Sequence, residues 1–180
     1  MVKFAMNGLG AGLAAALALA AGLGAPMAAA GDAPRPLEVA WTGSGARPTG
    51  LGGMRTCRIQ AGQKEPMVNF AVNEYDTDRA SKFRMIAPWL DGQPDRAPVA
   101  VRIVFPDGST FEGEGVYGNT NHMTVTSMPS LDTVLAGLSR PGALVVTVGG
   151  RTNAFAAPDL AREIADMRAC VAALPPAKAP

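Results

Sequence analysis

Val68, Phe70 and Val72 alternate with Asn69, Ala71 and Asn73, the two-residue period of a strand with one buried face. The same period runs through residues 54–60, where Cys57 and Ile59 share one face against Thr56, Arg58 and Gln60. It is strongest over 99–105, with Val99, Val101, Ile103 and Phe105 on one side. That run ends at Pro106-Asp107-Gly108-Ser109, a turn leading into a return strand from Thr110. Glycines at 113 and 115 interrupt the return, which predicts a bulge or bend. Shorter candidates lie at 37–41, 83–87 and 123–126. Two more, 143–148 and 152–156, flank Gly149-Gly150, a pair suited to a two-residue hairpin because both turn positions take positive φ.

From Pro158 the period changes. Leu160, Ile164, Met167, Val171 and Leu174 fall on one helical stripe, while Arg162, Glu163, Asp166 and Arg168 lie off it. Pro158 and Asp159 suit a first turn, and Pro175-Pro176 ends the helix, which predicts a span of 158–174. A shorter helix fits 130–139, with Ser130 as N-cap and Leu131, Val134, Leu135 and Leu138 at helical spacing. The pattern predicts an α+β fold: a mostly antiparallel sheet or sandwich of about seven short strands, with the last helix packed on it. The globular domain is expected over 54–174, preceded by a Gly/Pro-rich segment at 31–53 and followed by a flexible tail at 175–180. Within that segment, 43–53 reads as a loop.

Residues 1–30 read differently, as a cleavable export signal. Lys3 gives a positive start, an Ala/Leu core follows, and Ala28-Ala29-Ala30 offers small residues for cleavage near Gly31. An uncharged run of this length also approaches the ~20 residues of a membrane span. Its alanine and glycine content and its cleavage signature favour the signal, so the mature chain is expected in the periplasm or secreted, with no stable membrane anchor. Removal of Lys3 lowers the basic count from 16 to 15, against 15 acidic residues. That neutrality argues against nucleic acid as a partner.

Export gives the two cysteines a context. In an oxidising compartment Cys57 and Cys170 read as a disulfide, with free buried thiols and a reactive pair as the lesser readings. His122 is the only histidine, so a metal site would lack its usual ligands and none is expected; no cofactor is implied. A Cys57–His122 pair, or Ser127 or Ser130 with His122 and Asp132, is the outlying hydrolase reading. Glu112 and Glu114 share a strand face and read as solvated rather than as a glycosidase couple. Asp76 and Asp78 lack the rest of a calcium loop, and the 43–53 loop lacks the lysine of a phosphate-binding loop. Arg47, Arg55 and Arg58 cluster in sequence and could collect an anion, though a solvated face is the simpler reading.

The export signal, the early Trp41 and Cys57, the β-rich middle and the ending 153–170 resemble small exported proteins of Gram-negative bacteria, the invasion-associated locus B family in particular. The resemblance implies a periplasmic or surface accessory protein without assigned enzymatic residues. Two functions follow. The first is a non-enzymatic binding module for a protein or envelope partner, with a surface patch of apolar residues such as Trp89, Leu90 or Met128. The second is a small-ligand carrier with a cleft beneath the 43–53 loop, lined by Trp41 or Arg58. Trp41, Arg58, Trp89 and His122 are thus the candidate contact residues.

Overall fold

A computed structural model of the chain describes residues 35–48, 55–76 and 80–176. The expected export signal, residues 1–30, lies outside them, as do 49–53 of the expected loop, residue 54 at the expected start of the globular domain and the end of the tail. The elements run β1 (Trp41–Pro48), β2 (Arg55–Ala61), β3 (Met67–Asn73), β4 (Lys82–Ile86), β5 (Pro98–Val104), β6 (Thr110–Tyr117), β7 (His122–Val125), α1 (Leu131–Gly137), β8 (Gly142–Val148), β9 (Arg151–Ala157) and α2 (Ala161–Ala172). The nine strands form one sheet in the order β1-β2-β3-β4-β7-β6-β5-β8-β9, with every neighbouring pair antiparallel.

The sheet differs from the expected seven strands, and it is not a sandwich. Residues 43–48, expected as loop, belong to β1. Backbone pairing with β2 makes this strand although its glycines carry no apolar pattern. Gly43 also has a packing reason: a Cβ there would lie 2.6 Å from the Glu163 carbonyl oxygen of α2. Gly45 and Ala46 together stand opposite Cys57, a bulge in the β1–β2 ladder.

The single sheet curls into a nearly closed barrel. Leu37 donates its N–H to Ala154 O and accepts from Ala156 N, each at 2.9 Å, so the segment entering β1 covers the edge of β9. Trp41 Nε1 donates to Ala156 O at 2.7 Å across the same seam. Closure satisfies backbone groups that an open edge would leave to water. Alternate residues point inward, including Ile59, Phe70, Met85, Ile103, Met123, Leu144, Val146 and Phe155, all without solvent exposure. Phe70 anchors this core, its ring centroid 5.1 Å from Phe83 and 5.9 Å from Phe105.

Gly113 and Gly115 do not produce the expected bulge, for the β5–β6 register is continuous from Pro98↔Val116 to Val104↔Thr110. They make room instead. A Cβ at Gly113 would stand 2.6 Å from Phe111 Cζ, and one at Gly115 2.7 Å from Met123 Cε.

Ser130 caps α1, its Oγ accepting from Thr133 N at 3.3 Å, as the sequence predicts. The stripe of the last helix buries Leu160, Ile164, Met167 and Leu174. The helix begins at Ala161 rather than Pro158, and Asp159 Oδ1 reaches forward to accept from Ala161 N at 3.0 Å. Cys170 meets Cys57 of β2 in a disulfide with 5.8 Å between the Cα atoms, fixing α2 to the start of the sheet.

Candidate functional site

The outward faces of β2, β3, β4 and β7 together form a half-open hollow of about 330 Å³. The ladder registers show why it lies there. Arg58, Ala71 and Lys82 make one cross-strand row, and Asn69, Arg84 and Thr124 make the next; Thr56 and Asn73 flank them. Ala71 is the one side chain too short to fill its position, so it becomes the floor. Cations and amides form the walls.

Asp76 and Asn73 tie the rim of this face together. Asp76 Oδ1 accepts from Lys82 Nζ at 2.6 Å, and the other oxygen of Asp76 accepts from Asn73 N at 2.9 Å. Thr56 Oγ1 donates to Asn73 Oδ1 at 2.8 Å, which orients that amide. Arg84 is exposed by surface area, yet enough protein surrounds its guanidinium that desolvation lowers its pKa below the usual arginine value. An arginine keeps its charge in such surroundings, so a cation persists at the centre of the face.

His122 lies on the same face as Arg84 and Thr124 but does not line the hollow. Its Nδ1 shares a 2.8 Å hydrogen bond with Thr120 Oγ1. Desolvation first, and then the Arg84 charge, hold its pKa below the ordinary 6.5, with Asp95 opposing. The unfolded chain therefore takes up this proton before the folded one as pH falls. Stability from neutral His122 is complete above about 6.5 and is lost as pH drops from there through the folded pKa. Urea midpoints at about pH 7.5 and about pH 5 should converge more in His122→Asn than in wild type. An unchanged difference between the two pH values would contradict this.

The structure separates the contact residues expected from the sequence. Arg58 lines the hollow, but Trp41 sits on the opposite, inward face, buried and bonded to Ala156. Trp41 and Arg58, the two alternative wall residues of the expected cleft, therefore lie on opposite faces of the sheet, as residues of opposite strand parity do. Two of the three residues expected at an apolar surface patch are not at the surface. Leu90 and Met128 are buried in the core, and half-buried Trp89 lies beneath the Arg151 guanidinium, 5.6 Å from the ring centroid. Among the described residues the exposed large apolar side chains, Leu37, Tyr75 and Val116, are scattered over different elements.

Two of the three hydrolase nucleophiles are engaged elsewhere. Cys57 Sγ is bonded to Cys170, and Ser130 Oγ is engaged with Thr133. Glu112 stands on the exposed face of β6 beside Arg102, Nε to Oε1 3.1 Å. The sequence pattern already assigned Asn69, Asn73 and Arg58 to polar strand faces. The meeting of Lys82, Arg84 and Thr124 with them required knowing that β4 lies between β3 and β7. Among the described residues no helix is long and apolar enough to cross a membrane.

No protein-family model, curated protein or solved structure matches this chain, so the functional reading rests on geometry.

Proposed function

We propose that the protein is an exported, non-enzymatic binding module that holds a carboxylate-bearing saccharide of the cell envelope in the hollow over Ala71. The observation that carries this is the hollow itself, in which Arg58, Lys82 and Arg84 surround a small floor with Asn69, Asn73 and Thr124 beside them. Guanidinium groups pair with carboxylates through parallel N–H bonds, and the amide and hydroxyl side chains match sugar hydroxyls. Export is supported by the composition of residues 1–30 and by a disulfide, which is the form cysteines take in an oxidising compartment. The resemblance to the invasion-associated locus B family agrees with such an accessory role.

Calorimetric titration with a galacturonate oligomer tests the reading. Binding should weaken steeply with added salt. Ala71→Leu should lower affinity at least about tenfold by filling the floor, while leaving stability within about 0.5 kcal/mol because the site faces solvent. Arg84→Gln should act in the same direction. Binding of monomeric galacturonate as tight as that of the oligomer would favour a small-ligand carrier instead. No binding of either, or full affinity in Ala71→Leu, would end the proposal. Intact mass of the exported protein, with alkylation before and after reduction, tests export separately: a chain beginning near Gly31 without free thiols is expected.

A further inference from the structure

A second surface lies on the far side of β7. Strand β6 pairs with β5 along its whole length but with β7 only through Val116↔Thr124 and Tyr117↔Met123. β7 stops at Val125, and the chain then leaves for α1. The edge of β6 from Thr110 to Glu114 therefore has no neighbouring strand among the described residues.

The hydrogen-bond parity tells which groups are left over. Tyr117 N donates to Ala97 O, and Phe105 N donates to Ser109 O, so the odd-numbered residues of this hairpin exchange bonds across β5. In an antiparallel ladder the intervening residues aim their N–H and C=O groups the other way. Those residues are Thr110, Glu112 and Glu114, all exposed. On the inner face of the same edge, half-buried Phe111 lays its ring over Gly113. A closed barrel elsewhere removes its edges, which makes this opening a distinct feature of the fold.

We infer that the Thr110–Glu114 edge of β6 accepts an extended segment of a partner protein whose basic side chains alternate with apolar ones. Backbone pairing to Glu112 and Glu114 supplies the register and part of the affinity. Partner residues on the inner face pack on Phe111. Those on the outer face meet Glu112, whose pairing with Arg102 is solvent-exposed, and Glu114, which has no ion pair among the described residues. The same charges oppose a second copy of this chain, because an antiparallel pair of β6 edges would set the two glutamates of each copy against their counterparts. A basic strand is the complement.

Amide hydrogen exchange followed by NMR provides the test, with a capped peptide of alternating lysine and valine and its glutamate-for-lysine counterpart as probes. In the free protein Gly113 should be protected and Glu112 and Glu114 should not be. The lysine peptide should slow exchange at Glu112 and Glu114 by at least about tenfold, and the glutamate peptide should not. Glu112→Pro, which removes an N–H aimed at the open edge, should abolish protection at Glu114. Glu114→Lys keeps every backbone group and should weaken the lysine peptide while improving the glutamate peptide. Unchanged exchange at Glu112 and Glu114 with the lysine peptide, equal response to both peptides, or concentration-dependent dimerisation through β6 would overturn the inference.

Discussion

Replacing both cysteines by alanine should lower the unfolding free energy by about 4–5 kcal/mol, the chain-entropy value for a closed loop of 113 residues. For a domain of this size that corresponds to a drop of roughly 8–20 °C in melting temperature. The bond joins β2, the second strand of the sheet, to the last helix, so it restricts nearly the whole unfolded chain between them. Its loss acts mainly on the unfolded state. The urea slope should therefore rise, because the unlinked chain exposes more surface on unfolding. Reduction of the wild-type protein should reproduce both changes. A loss below about 1 kcal/mol with an unchanged slope would show that the packing of α2, rather than the covalent link, holds the helix in place.

The second large effect belongs to the folded state. Phe70→Ala should destabilise by about 3–5 kcal/mol, combining lost apolar burial with an unfilled cavity. Phe70 has no solvent exposure and packs against both Phe83 and Phe105, on strands β4 and at the end of β5. These strands are separated in the sheet, so the aromatic cluster bridges opposite parts of the barrel wall. Here the urea midpoint should fall while the slope stays constant, since the unfolded ensemble is scarcely altered. Ring loss costing less than about 1 kcal/mol would mean that the interior collapses around the gap. The pair of experiments separates what the crosslink does from what the core does.

Strand and helix periodicity were legible because each element buries one face. The alternation in β2, β3, β5 and β8 and the stripe of α2 appear directly in the residue order, as do the Ser130 cap and the Gly149-Gly150 hairpin, whose φ values are +54° and +82°. The cysteine pairing was legible for another reason: two cysteines allow one intramolecular bond. Strand β1 was hidden because residues 42–46 within it are small. Its place depends on hydrogen bonds to β2 and on the close approach of α2 at Gly43, neither of which leaves an apolar pattern.

The candidate site shows the same division. Residue types and strand parity placed Arg58, Asn69 and Asn73 on outward faces, and local alternation suffices for that. Trp41, expected among the contact residues, is buried against β9 by closure of the barrel, which local alternation does not record. By itself the sequence determined most of the elements and their buried faces, the one possible cysteine pairing and the neutral charge balance after Lys3. Only the tertiary structure decided that β7 inserts between β4 and β6, and that order alone creates both the cationic hollow and the open edge of β6. Local sequence specifies which way a side chain points, but strand order depends on contacts between residues far apart in the chain, and alternation carries no record of which strands become neighbours.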